Sequence, residues 1–176
     1  MSGDAHPSVT VAAMPGNGAL AGAVAQRLGV EAASVDIHLF PDEESLVRVP
    51  PAAATTLLFC TLDRPDAKLV RLLLAAGAFR DRGVRRLVLV APYLGYMRQD
   101  AAFHDGEAVS QRIVGRLLAQ TFDRVVTVEP HLHRTPDLGM VFPGIAATAL
   151  PAAPAVAGMA QAAGAELLVG PDAESG

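Results

Sequence analysis

LLFCTLDRPDAKLVRLLLAAGAFRDRGVRRLVLVA, residues 57–91, decides how this chain folds. The stretch opens on one apolar run, Leu57 to Thr61, and closes on another, Leu87 to Ala91. Between them, Asp66 to Arg82 places Leu69, Leu72, Leu73, Ala76 and Phe79 on one face of a helix, with Gly83 as its stop. Both apolar runs are short and lack polar alternation, as in the strands of a parallel sheet covered on both faces. Strand, helix, strand at this spacing is a βαβ unit.

The same pattern extends outward. Val9 to Met14 reads as a strand, Pro15 to Gly18 as a turn, and Ala19 to Leu28 as a helix closed by Gly29. Val35 to Phe40 reads as a second strand. Pro41-Asp42-Glu43 turns the chain into a short strand, Ser45 to Val49, ended by Pro50 and Pro51. Downstream come a helix from Ala108 to Gln120, a strand from Arg124 to Glu129, an Ala-rich helix from Pro151 to Ala163 and a last strand from Glu166 to Val169. The expected fold is α/β, a mainly parallel twisted sheet with helices on both faces. The Ala- and Pro-rich stretch Ala146 to Ala157 reads as a linker into a second unit. Ligands in such sheets bind beyond the carboxyl ends of the strands. The loops that begin at Pro92, Pro130 and Gly170 are expected there.

Composition narrows the function. Hydrophobic residues make up 51% of the 176 and charged residues 18%, which suits a packed core. Aromatics are 5% and Trp is absent, so that core is aliphatic. A formal net charge of -4 excludes a nucleic-acid binder that relies on a basic surface. Arg80, Arg82, Arg85 and Arg86 read as a solvated cluster. The single cysteine, Cys60, allows no intrachain disulfide and reads as a small buried hydrophobe. With no basic, apolar leader and no stretch of membrane-spanning length, the chain reads as cytoplasmic.

Gly16-Asn17-Gly18-Ala19-Leu20-Ala21 fits the dinucleotide fingerprint G-x-G-x-x-A after a strand. The carboxylate expected at the end of the next strand is missing, since Phe40 stands there. A tight turn with close helix packing explains the glycines as well. More informative is Pro92-Tyr93-Leu94-Gly95-Tyr96-Met97-Arg98-Gln99-Asp100, in a long loop between a strand and a helix. Arg98 offers a planar, permanent charge suited to phosphate. Gln99 can donate and accept, as an adenine edge or a ribose hydroxyl requires. Tyr93 and Tyr96 read as anchors of the loop. His131 and His133 follow the strand that ends at Glu129.

Four segments together resemble the ribose-phosphate pyrophosphokinase family. They are Gly16-Asn17 with its helix, Phe40-Pro41-Asp42-Glu43-Glu44, the loop from Pro92 to Asp100, and Val128-Glu129-Pro130-His131-Leu132-His133. The second is similar to the family's Phe-x-Asp-Gly-Glu turn. The resemblance implies a phosphoribosyltransferase-like fold and a transfer of diphosphate from ATP to ribose 5-phosphate, with Mg2+ as cofactor. It implies ATP contacts at Arg98, Gln99 and Asp100. Phe40, Asp42 and Glu44 would receive adenine from a neighbouring subunit, so a homo-oligomer is implied. His131 and Asp172 would help hold the magnesium.

The chain departs from the family's pattern in two places. Ala101 and Ala102 stand where many members carry lysines, and His104 could restore charge at low pH. No Asp-Asp-x-x-x-Thr-x-x-Thr loop for a sugar phosphate is present. The expectation is an ATP-side domain over residues 1–150 and the start of a cut-short second domain over 151–176. No catalytic residue is expected in this part, and ribose 5-phosphate would be held elsewhere. The competing expectations are a non-catalytic relative that binds nucleotide or a partner enzyme, and an interaction module.

Overall fold

The computed structural model describes residues 9–165. Strand β1 (Val9–Ala13) leads through a turn into helix α1 (Gly18–Leu28), and β2 (Ala32–Ser34) follows. A hairpin of β3 (Asp36–Leu39) and β4 (Ser45–Arg48) precedes β5 (Thr55–Phe59). Helix α2 (Pro65–Asp81), β6 (Arg86–Ala91), α3 (Ser110–Thr121) and β7 (Arg124–Val128) continue the alternation. β8 (Ala146–Leu150) and α4 (Ala153–Ala162) complete it. The main sheet runs β2-β1-β5-β6-β7-β8, and every neighbouring pair in it is parallel.

Alternation along the strands divides the core between the two faces. Val11, Ala13 and Phe59 pack with Ala21 and Ala25 of α1. Ala12, Leu58, Leu87 and Leu89 pack with Leu72 and Phe79 of α2 and Leu118 of α3. Helices therefore cover both faces, as the unalternated runs require. Proline at its start and Asp66 in its first turn favour the entry into α2, and Gly83 takes up φ 85° just beyond its end. The expected inner face of α2 is recovered, with Leu72, Ala75, Ala76 and Phe79 buried. Of the arginine cluster, Arg82, Arg85 and Arg86 are exposed. Arg80 instead ties α2 to the turn between α3 and β7, donating to Thr121 O at 3.3 Å and to Asp123 Oδ2 at 2.9 Å.

The strand expected over Val35 to Phe40 forms as β3, but it is not part of the main sheet. It pairs antiparallel with β4, and Ala32–Ser34 supplies the parallel neighbour of β1 instead. The chain turns at Val35, whose N–H still donates to Ala13 O at 2.9 Å. Nor is Ala146 to Ala157 simply a linker, because Ala146–Leu150 pairs with all of β7, at the edge of the sheet among the described residues. No regular helix covers the passage from β7 to β8; a short 3-10 turn, Leu138–Met140, does so. Leu138, Val141 and Phe142 bury themselves there. The expected strand from Glu166 to Val169 lies outside the described residues. Among the described residues no helix is long and apolar enough to cross a membrane.

Strand order reverses between β1 and β5, where ligands of such sheets usually bind. Here the hairpin roofs that crevice. Ile37 and Leu39 of β3 close over Met14, Cys60, Lys68 and Arg71 around a space of about 270 Å³. Beneath it, buried Asn17 fastens the two strands together. Its Oδ1 accepts from Thr61 N at 2.7 Å, and its Nδ2 donates to Met14 O at 3.2 Å and Pro15 O at 3.1 Å. The dinucleotide-like glycines thus serve a turn. Gly16 needs its left-handed φ of 82°, whereas a Cβ at Gly18 would meet nothing.

Candidate active site

A cavity of about 420 Å³ opens at the carboxyl ends of β6 and β7. Tyr93, Tyr96, Arg98 and Gln99 line it from the loop after β6, and Glu129 and His131 from the loop after β7. Pro65 and Asp66 at the start of α2 complete the wall. β6 and β7 are neighbours in the sheet, so the loops that leave them share one edge.

The loop after β6 is held by burial and by a close backbone approach. Leu94 and Met97 are its buried anchors, while Tyr93 is exposed and Tyr96 half-buried at the cavity wall. The expectation that the tyrosines anchor the loop is corrected for Tyr93 alone, since Tyr96 packs against the core. Gly95 presses against the neighbouring loop, where an added Cβ would lie 2.6 Å from Leu62 O. Tyr96 adopts φ 65° and donates its hydroxyl to Asp66. That bond to a carboxylate, with some burial, pushes the Tyr96 phenol above its ordinary value. Glu129 also sits at positive φ, 41°, and its carboxylate accepts from Ala152 N at 2.6 Å. Two strained residues in one cavity wall are the kind of feature that functional sites retain.

The structure brings together Arg98, Gln99 and His131. Arg98 is exposed and makes no hydrogen bond or ion pair among the described residues. Gln99 Oε1 accepts from Ser110 Oγ at 2.6 Å, which leaves its amide N–H groups as donors. The rings of His131 and His133 meet edge to face at 3.9 Å. Asp100 does not line the cavity. Its carboxylate accepts from Arg134 N at 2.9 Å and Arg134 Nη1 at 2.8 Å. Phe40, Asp42 and Glu44 stand on the exposed β3–β4 hairpin, away from this cavity. Asp42 Oδ1 accepts from Glu44 N at 3.2 Å, and Glu43 between them has φ 69°, a conformation that favours glycine. Asp172 lies outside the described residues.

Ala101 and Ala102 leave the next part of the loop without cations. His104 Nδ1 lies 2.7 Å from Glu107 Oε1, so this ring is paired with a carboxylate and is not a substitute for the missing lysines. The His104 contact, reinforced by the Phe103 N–H, holds the Glu107 carboxyl below its ordinary value. Asp66 and Glu129 line the cavity without having been singled out from the sequence. The loop after β5 also ends at the carboxyl edge of the sheet, and that position was the available signal for Asp66.

A model of the N-terminal domain of ribose phosphate pyrophosphokinase matches residues 9–121. The chain belongs to the ribose-phosphate pyrophosphokinase family. The ribose-phosphate pyrophosphokinase of Halobacterium salinarum is 42% identical over 115 residues, covering 64% of this chain and 39% of the relative. That of Thermococcus kodakarensis is 37% identical over 125 residues, covering 70% and 44%. This chain thus spans less than half the length of those relatives. The crystal structure of phosphoribosylpyrophosphate synthetase from Mycobacterium smegmatis superposes with a TM-score of 0.74. The superposition covers 88% of this chain and 52% of that one at 22% identity, and it agrees with the α/β fold described above.

Proposed function

We propose that this chain is the ATP-holding part of a ribose-phosphate pyrophosphokinase. The full reaction moves a diphosphoryl group from ATP to the 1-hydroxyl of ribose 5-phosphate, leaving AMP and phosphoribosyl diphosphate. The observation that carries this reading is the convergence of Arg98, Gln99 and His131 on one cavity. A space of about 420 Å³ suits a nucleotide-sized ligand. Arg98 has its guanidinium uncommitted among the described residues and pairs with phosphate oxygens. Gln99 donates its amide N–H groups to a base or ribose acceptor. In-line attack on the β-phosphorus needs positioning and cationic charge more than covalent help.

Magnesium fits this arrangement as an ion carried by the nucleotide. Among the described residues no cluster of three or more His, Cys, Asp or Glu could hold a metal by itself. Magnesium keeps its waters and prefers phosphate and carboxylate oxygens, so His131 supports it and Asp172 is the proposed carboxylate partner. When bound, the metal neutralises charge on the phosphates. Phe40, Asp42 and Glu44 reach the adenine of a second copy of the chain, in a homo-oligomer. The exposure of Phe40, 41%, supports that reading.

Calorimetry with Mg-ATP tests the assignment. The chain should bind weakly, and Arg98→Ala should weaken binding about ten- to a hundredfold, the worth of one charge-assisted contact. No heat at millimolar nucleotide would overturn the site. Without a sugar-phosphate loop, the 176-residue chain should form no phosphoribosyl diphosphate. The uncharged Ala101-Ala102 step favours one alternative, a regulatory relative that binds nucleotide without turnover. An otherwise complete protein that binds Mg-ATP yet stays inactive would establish that alternative.

A further inference from the structure

The two loops that build the cavity, residues 92–109 and 129–145, are fastened to each other away from its walls. One fastening is the Asp100–Arg134 pair. The Asp100 side chain is only 1% exposed, and it accepts from both the backbone N–H and the guanidinium of Arg134. The same guanidinium stands 5.3 Å from the centre of the Phe103 ring. The other fastening is Gln111 of α3, itself buried. Its Nε2 donates to Met97 O at 3.2 Å and its backbone N–H to Gln99 O at 3.1 Å. Its Oε1 accepts from Thr135 Oγ1 at 2.8 Å. Arg98 lies between Met97 and Gln99, so Gln111 holds the backbone on both sides of it. Thr135 follows closely after His131.

We propose that Asp100, Arg134 and Gln111 form a clasp that sets the spacing between Arg98 and Gln99 on one loop and His131 on the other. They are positioning residues for the bound nucleotide, and the inference rests on the nucleotide reading of the cavity. With the clasp open, each loop keeps its own residues but the two sets lose register. If the competent arrangement falls to about a tenth of the population, apparent affinity falls about tenfold. An ion pair with a purely stabilising role would lower the melting temperature and leave the affinity of the folded protein unchanged.

Mg-ATP calorimetry on the full chain, read beside thermal melting, separates these cases. Arg134→Ala and Asp100→Asn should each weaken binding about tenfold. Their combination should do no more than either alone, because both break one device. Arg134→Lys, which returns a charge to Asp100, should recover part of the affinity. Arg80→Ala is the control. It breaks the Arg80–Asp123 pair at the opposite end of the strands and should cost stability without changing affinity. Should Arg134→Ala fail to fold, Asp100→Asn, nearly the same shape, carries the same test. Wild-type affinity in folded Arg134→Ala or Asp100→Asn, with only melting lowered, overturns the clasp. A wild-type chain that binds no Mg-ATP overturns the nucleotide reading and the clasp with it.

Discussion

A methyl group at position 95 would have nowhere to go. It would meet the Leu62 carbonyl oxygen at 2.6 Å and the Pro65 ring at 3.1 Å, and neither can swing aside. The two loops are already joined there, since Leu62 N donates to Tyr93 O at 2.9 Å. Gly95→Ala should therefore cost about 1–3 kcal/mol, read as a lower urea midpoint at unchanged slope. A wild-type midpoint would mean that the loop can shift as a body. Residue chemistry also explains which site members could be read from sequence. Arg98 and Gln99 stand out in an aperiodic loop, and His131 follows a strand end. Asp66 is silent because an acid in the first turn of a helix is expected for the helix dipole alone. Arg134 is silent because an arginine in an irregular stretch reads as solvated until its partner, 34 residues earlier, is seen.

Among the elements, α3 shows how the uncovered passage from β7 to β8 is closed. Gly115 lies on its buried side, and a Cβ there would stand 2.2 Å from Val141 O. The glycine lets the 129–145 connection lie directly on the helix. Gly115→Ala should destabilise by about 2 kcal/mol or more through overpacking, seen in denaturant unfolding. A neutral result would show that this connection packs loosely. Four strands of the main sheet were legible because Val and Leu fill them. β2 and β8 were not. Ala32-Ala33-Ser34 and Ala146-Ala147-Thr148-Ala149-Leu150 are the edge strands among the described residues, and their part-exposed side chains are mostly alanine, without the run of Val and Leu that marks a buried strand. The two hairpin strands were legible as strands, but their place outside the main sheet was not, because periodicity reports strand character and says nothing of the partner.

For the whole molecule, three carboxyls link stability to pH. Lys68, hydrogen-bonded to Asp63, holds that carboxyl low. Burial pushes Asp100 up, but the Arg134 N–H and guanidinium outweigh it. His104 and the Phe103 N–H hold Glu107 low. Each folded value lies below the unfolded one. Their stabilisation is therefore complete above the ordinary carboxyl values of 3.8 and 4.5, and it is lost as pH falls through the lower folded values. Arg134→Ala should move the acid transition to higher pH, which circular dichroism across a pH titration measures. An unmoved transition would mean that the pair contributes nothing to this linkage.

Cys60 stands where β5 leaves the sheet, 1% exposed, and burial pushes its thiol up to about 11 against the opposing charge of Lys68. At neutral pH it is almost wholly protonated, and Ile37 and Leu39 of the hairpin roof the crevice it borders. A disulfide reagent such as dithionitrobenzoate should then react only during openings that expose this strand end. The colour it releases becomes a clock for how often the hairpin lifts from the crevice, in a chain with no second thiol to confuse the count.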